Sequence, residues 1–255
     1  MPFTLAHSAA VVPFIKRHNM NAAALVLGSM APDFEYFVRF EPVGIFGHSL
    51  GGLLYFNLPL CFLFAYVFHF IVKKPLIVCL PRPLDNWFWN FAVKEWSLNN
   101  VWSVWIFTYS AVLGMGTHVL WDSFTHQSGW FVIQFPILLE VIHLGAITVP
   151  IFKVLQHGST LVGLTILVAF CYSLRNQQTK APQVMASGIK GLYCGSIVLI
   201  GGAVCLGMFL GHGSASTVYG AIGAYIITFL NGIVLGTIVA SIGFKKFSGM
   251  TIGDR

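Results

Sequence analysis

Charge is what this chain has least of. Only 9% of its 255 residues are Asp, Glu, Lys or Arg, against 56% that are hydrophobic, and the mean hydropathy is +0.79. So few charges cannot clothe a globule of this size in water, which excludes a soluble domain and makes lipid the solvent. Also missing is the period-two alternation of a membrane β-barrel. The apolar runs are apolar all round and reach about 20 residues, the length a helix needs to cross hydrocarbon with its backbone groups satisfied. Cysteine is sparse, odd in number and free of CxxC spacing: Cys61, Cys79, Cys171, Cys194 and Cys205 lie in or beside apolar segments. They read as packing residues, so neither a disulfide framework nor a zinc knuckle is expected. No basic region precedes the first apolar stretch and no small-residue cleavage site follows it, so no signal peptide is expected. No internal repeat is visible. The net charge of +6 does not point to nucleic acid, because Lys and Arg fall mainly between the apolar runs, as topology signals do.

What remains is an all-α, polytopic transmembrane helical bundle of about five to six spans with short re-entrant or interfacial helices, one integral membrane domain over 1–255. Residues 1–48 hold two short apolar pieces, near 8–15 and 21–31, separated by Lys16-Arg17-His18 and closed by Pro32-Asp33. Neither can span alone. The first span is expected over about 50–72 and ends at Lys73-Lys74, followed by a proline-rich loop and an aromatic interfacial stretch from Trp87 to Trp96. The second covers about 101–121. Residues 131–156 are apolar but broken by Pro136, Glu140, His143 and Pro150, which suits a pair of short re-entrant helices. Further spans are expected over about 159–174, 189–210 and 218–242. Lys73, Lys74, Arg82 and Lys94 place one loop in the cytoplasm; Arg175, Lys180 and Lys190 place another there, and Lys245-Lys246 the tail. The loops near 122–130 and 211–217, free of Lys and Arg, fall outside. Lys153 fits this scheme poorly, and Lys16, Arg17 and Arg39 would stand on the outer side.

Ionisable groups inside membrane segments are expensive, so each needs a reason. His118, Asp122 and His126, at the end of the second span, sit at i, i+4 and i+8, which a helix places on one face within roughly 80° of arc. This is how a helix offers metal ligands. An ideal helix separates His118 from His126 by about 12 Å along its axis, too far to share one ion with bonds of about 2 Å. Either the helix bends after Asp122, or Asp122 bridges two ions. His48 begins the first span, and antiparallel neighbours bring its end beside the end of the second; His7 and Asp33 precede it and can fold over the same end. A hydrogen-bond network, a proton relay or a helix cap would also use a His/Asp row, and Asp33 after Pro32 also suits an N-cap. His157 joins the site if 131–156 re-enters. Glu140 and His143 form an ExxH pair that reads as structural, as do His18, His69 and His212. Arg39 has the chemistry to take a phosphate bidentately, although an interfacial arginine is the plainer reading.

Met1-Pro2-Phe3-Thr4-Leu5-Ala6-His7, Gly28-Ser29-Met30-Ala31-Pro32-Asp33-Phe34, Gly47-His48-Ser49-Leu50-Gly51, the row from His118 to His126, and Leu155-Gln156-His157-Gly158-Ser159 together resemble a bacterial membrane family, domain-of-unknown-function family 4184. It is similar to membrane proteins described as predicted metal-dependent hydrolases. More distantly, the His118-xxx-Asp122 helix is similar to that of zinc-dependent phospholipase C and the P1-type nucleases, whose clustered zinc ions cleave phosphoesters. The resemblance covers roughly 1–165 and implies His7, Asp33, His48, His118, Asp122 and His126 as ligands. It departs from the secreted enzymes in lacking their soluble fold.

The function expected is therefore a membrane-embedded metal-dependent hydrolase holding one or two divalent ions, zinc by its histidine-rich donors. Asp122 and His118 would be its catalytic residues, with metal ligands His7, Asp33, His48, His118, Asp122, His126 and His157. It would act on a lipid phosphoester or polyprenyl phosphate, with no nucleic-acid partner, from the outer face of a bacterial inner membrane. On this reading 1–48 is an N-terminal interfacial or re-entrant segment, 49–160 the metal-site core and 161–255 additional transmembrane helices. Two alternatives stay open: a transporter or channel relaying protons or divalent ions, against which the polar residues gather at one membrane face, and a non-hydrolytic enzyme on an isoprenoid diphosphate.

Overall fold

A computed structural model describes residues 3–145, 147–176, 185–211 and 218–248. Lys180, His212 and the stretch 212–217 lie outside the described residues, as do Met1 and Pro2. Among the described residues, five helical stretches are long and apolar enough to cross a membrane: Leu50–Cys79, Val101–Gln134, Ile151–Ser173, Ser187–Gly211 and Gly223–Lys246. The chain is thus a predominantly helical, multi-pass membrane protein. It divides into two compact units, one of residues 1–34, 46–62 and 98–173, the other of residues 35–45, 63–97 and 174–255.

The first unit is built around the Val101–Thr125 helix. Asn100 caps it in a reciprocal capping box with Ser103, satisfying donors that the first turn leaves orphaned. Its buried residues, Phe107, Ser110, Ala111, Gly114, Met115 and His118, recur every three or four positions and form one stripe. The remaining faces are apolar and bare, with Val101 at 88% and Trp102 at 67% exposure, as a lipid-facing surface requires.

Against that stripe lies the Ala22–Met30 helix, capped by Asn21, whose side chain accepts from the Ala24 amide at 3.0 Å. The approach is backbone to backbone: a Cβ on Gly28 would run into the Ala111 carbonyl, and one on Gly114 would lie 2.7 Å from the Ser29 nitrogen. Small residues at the crossing permit this, as is usual for helices packing in lipid. The Thr4–Val11 3-10 helix packs on Ile151–Ser173 in the same manner, where a Cβ on Gly163 would stand 2.9 Å from the Ala6 carbonyl.

Two sequence expectations need correction. Residues 131–156 form no re-entrant helix pair. After the short helix Trp130–Gln134 and a 3-10 turn at Pro136–Leu139, the chain makes an antiparallel hairpin of Val141–Leu144 with Ile147–Pro150. β-branched residues crowd both arms, and Gly145 supplies the turn at φ 63°. His143 therefore faces Thr148 across the hairpin, its Nδ1 3.2 Å from the hydroxyl, and no helical ExxH pair with Glu140 exists. The third span also begins at Ile151 rather than near 159, because Lys153, Gln156 and His157 are accommodated in its first turns.

The second unit holds its own polar anchors. Lys190 Nζ lies 2.6 Å from Asp85 Oδ2, and Tyr193 pairs with Ser241 at 2.9 Å. Ser187–Gly211 and Val218–Ser248 meet at Gly201 and Gly232. Arg39 is committed here to the buried Glu35, Nε to Oε1 at 2.9 Å, which is an ordinary i,i+4 pair.

Candidate metal centre

In a 3-10 helix residues three apart eclipse one another, so Thr4 and His7 share an edge of Thr4–Val11. Thr4 Oγ1 donates to Asp33 Oδ2 at 2.7 Å. Asp33 ends the tight turn Ala31–Asp33 that closes the Ala22–Met30 helix, and with Oδ2 taken it presents Oδ1. His48 stands just ahead of the first span. Asn57, in a π-turn of that span, donates to the Gly47 carbonyl at 2.7 Å, and Ser49 caps the helix by accepting from Gly52 N at 3.0 Å. Both bonds fix the backbone on either side of His48.

His118 is wholly buried. Its Nδ1 stands 2.7 Å from the Ser29 carbonyl, which can only accept, so Nδ1 carries the proton and Nε2 is left with its lone pair. A backbone carbonyl fixing the far nitrogen is the usual outer partner of a metal-ligating histidine. It follows from the Gly28 and Gly114 contact, since only that close crossing brings Ser29 to His118.

Four donors then converge. His118 Nε2 lies 3.2 Å from Asp122 Oδ2 and 3.6 Å from Asp33 Oδ1; His48 Nε2 lies 3.5 Å from Asp122 Oδ2 and 3.7 Å from Asp33 Oδ1. All four ligand atoms fall within 4.8 Å of one another. A tetrahedral ion with bonds of about 2.0–2.2 Å separates its donors by about 3.3–3.6 Å, so the cluster has the dimensions to hold one metal ion.

Asp122 looks both ways. Its Oδ1 is 3.4 Å from His7 Nε2 and 3.3 Å from His126 Nδ1. Both ring nitrogens of His7, together with His118 Nε2 and Asp122 Oδ1, are buried without a hydrogen-bond partner. An unsatisfied buried polar atom costs about 1–3 kcal/mol, and four in one place mark a site made for something else to bind. The His7 ring stacks on His118 with centroids 3.9 Å apart. Burial, and then the neighbouring His118, lower its pKa to about 3, so at neutral pH it is uncharged and offers a lone pair. Burial pushes the Asp33 carboxyl up, against His118 and the Thr4 hydroxyl; a bound cation would reverse that.

His126 does not extend the helical row. It is the C-cap of Val101–Thr125, with φ −118° and ψ 143°, and its ring turns back so that Nδ1 is 3.3 Å from the Asp122 carbonyl as well as from Oδ1. Its proton can be assigned from its neighbours. Lys153 Nζ can only donate and lies 2.7 Å from Gln156 Oε1, so the Gln156 amide nitrogen faces His126 Nε2, at 3.4 Å. His126 Nε2 then accepts and Nδ1 holds the proton toward Asp122. In this state the Nδ1 proton turns to the Asp122 backbone carbonyl, 3.3 Å away; to ligate through Nδ1 the ring needs Gln156 turned over, which gives up the Lys153 bond. His157 is exposed and stands apart from these groups, and the residue turned to His126 is its buried neighbour Gln156.

The sequence placed His7, Asp33, His48, His118, Asp122 and His126 at one end of the first unit, and all six lie there. Thr4, the Ser29 carbonyl, Gln156 and Lys153 were not singled out as partners. The three-residue spacing of Thr4 and His7 was the one local signal; the others depend on tertiary contacts. Removing only the hydroxyl in Thr4→Val is expected to weaken metal binding about 10–100-fold, read by competition with a chromophoric chelator, and to lower stability by about 1–3 kcal/mol because Asp33 Oδ2 loses its buried donor.

A family model described as a domain of unknown function (DUF4184) matches residues 1–242, well past residue 165, where the recognisable motifs end. No curated protein and no solved structure matches the chain.

Proposed function

The chain belongs to the family described as a domain of unknown function (DUF4184), and from its site we propose that it is a membrane-embedded metal-dependent hydrolase of phosphoesters. The observation that carries this reading is the set of donor separations among Asp33, His48, His118 and Asp122, 3.2–3.7 Å from each imidazole nitrogen to each carboxylate and all within 4.8 Å. Two imidazoles and two carboxylates favour zinc over magnesium, which prefers an all-oxygen octahedron. A second ion would be held by His7, Asp122 and His126, the last once Gln156 turns over and frees its Nδ1, and would supply a further Lewis acid.

Bound there, divalent ions supply Lewis acidity and lower the pKa of water toward neutrality. The chain's own residues divide the remaining work. Ser29 and Thr4 orient His118 and Asp33. His7 and His118 are closed off, at 1% and 0% exposure, whereas His48 and His126 are about one-third open, at 33% and 31%, so substrate enters past the latter two. The site lies where one span starts and another ends, which supports a substrate drawn from the lipid head-group region, a lipid phosphoester or polyprenyl phosphate, over a soluble one. The same position counts against an ion-conducting path, which would continue through the bilayer. The distribution of Lys and Arg supports an extracytoplasmic site at a bacterial inner membrane.

The test is elemental analysis of the purified full chain in neutral-lipid nanodiscs, with phosphate release measured from mixed phospholipids. One to two equivalents of zinc, and release that stops on chelation and returns with zinc, are the expected result. Metal-free wild-type protein would sink the reading.

A further inference from the structure

Lys153 is one of the cations, with Lys16, Arg17 and Arg39, that the charge pattern of the loops leaves unexplained. It stands in the first turn of Ile151–Ser173, at the end of the unit that carries the metal cluster, where the positive-inside tendency disfavours a lysine. No carboxylate among the described residues pairs with it; its recorded polar contact is the neutral Gln156 Oε1 at 2.7 Å. An ammonium has three donors, so two remain. Beside it opens a cavity of about 420 Å³ lined by His126, Gln127, Ser128, Phe152 and Lys153. His126 is therefore shared: one face of its ring borders the cavity, while its Nδ1 is 3.3 Å from Asp122 Oδ1.

We propose that this cavity is the anion subsite of the centre, in which Lys153 anchors a tetrahedral oxyanion, the phosphate of a substrate head group, next to the cluster. The inference rests on the hydrolase reading for what happens to that phosphate, but not for its binding. Its parts are independent of the metal donors: a semi-open space large enough for a head group, an unneutralised cation on its wall, and Ser128 and Gln127 beside it with further hydrogen-bonding capacity. Gln156, 1% exposed, links the cation to the centre. Turning its amide over releases Lys153 wholly to the cavity and frees His126 for a metal, so filling the two places is mutually favourable. Lys153 is a binding and positioning residue rather than a metal ligand.

The experiment compares wild type, Lys153→Ala and Lys153→Arg as full chains in neutral-lipid nanodiscs, with metal content measured on each. The probes are inorganic phosphate and short-chain phosphatidic acid. A charge-assisted bond contributes about 1.5–3 kcal/mol, so Lys153→Ala, compared with wild type at matched metal loading, should bind phosphatidic acid about 10–100-fold more weakly, and arginine should restore most of it. A loss confined to phosphatidic acid assigns the subsite to lipid head groups; an equal loss for both probes assigns it to phosphate from any source. Unchanged affinity in Lys153→Ala, or a metal-loaded wild type that binds neither probe, overturns the proposal. Metal-free wild type overturns the hydrolase reading alone, because the effect of Lys153→Ala on phosphate binding is read all the same.

Discussion

Asp122→Asn should empty the centre. No other carboxylate of the cluster reaches all four histidines: Oδ2 faces His48 and His118, and Oδ1 faces His7 and His126, all within 3.2–3.5 Å. The substitution keeps the shape and removes the charge. It costs the ion its shared ligand and lets an amide N–H take an imidazole lone pair that the ion would otherwise use. Breaking one partner of a buried charged set costs about 3–5 kcal/mol, or two to four orders of magnitude in metal affinity. Elemental analysis after dialysis should find less than a tenth of the wild-type metal, and phosphate release should fall to background. His118→Ala should behave likewise. His157→Ala should retain full metal content, since that side chain is exposed; loss of metal there would mean that the ligand set is wrongly drawn.

The second large effect is expected far from any ligand. In Gly28→Ala the new methyl has only backbone to meet, the carbonyl, carbonyl carbon and Cα of Ala111, so nothing flexible can yield and two helices must part. Overpacking of this kind costs about 1–3 kcal/mol, which for a chain of this size lowers Tm by roughly 2–12 °C. The displacement also draws Ser29 away from His118 Nδ1, so metal affinity should fall with stability. Gly116→Ala, on the Val101–Thr125 helix that Gly28 packs against but with open space around it, is the control and should match wild type in both. If Gly28→Ala loses stability but keeps its metal, the Ser29 bond is not what orients His118.

Much of this was legible in the sequence because its signals are short-range. Twenty apolar residues in a row identify a span without knowledge of its neighbours, and five such helices are present. His118 and Asp122 are one helical turn apart, so their shared face follows from the 3.6-residue repeat alone. His48 and His126 were placed by the ends of antiparallel spans. What escaped depends on where a helix stops or on what crosses it. The spacing of His118 and His126 leaves open a bend after Asp122 or two ions bridged by it, and it is the end of the helix at Thr125, with the His126 ring folded back as its C-cap, that the spacing does not state. Val141 to Pro150 carried helix-length hydrophobicity but β-branched composition, and two-residue periodicity is hard to see in so short a hairpin. Gln156 was overlooked beside the more conspicuous His157, because which of two adjacent residues faces inward is set by the rotation of a helix whose packing the sequence does not state.

The crossing of Ala22–Met30 with Val101–Thr125 bears on the order of assembly during synthesis. Ser29 and His118 are 89 residues apart, so at about 5–20 residues per second the N-terminal helices emerge roughly 4–18 s before the helix they dock against. During that interval Gly28 has no surface to meet and Asp33 no histidine of the second span. These pieces are too short to cross the bilayer by themselves, so they must wait at its surface until the second span is inserted. Completion of the cluster is then a late event in biogenesis, and an ion captured at that point would lock the early and late parts of the chain together.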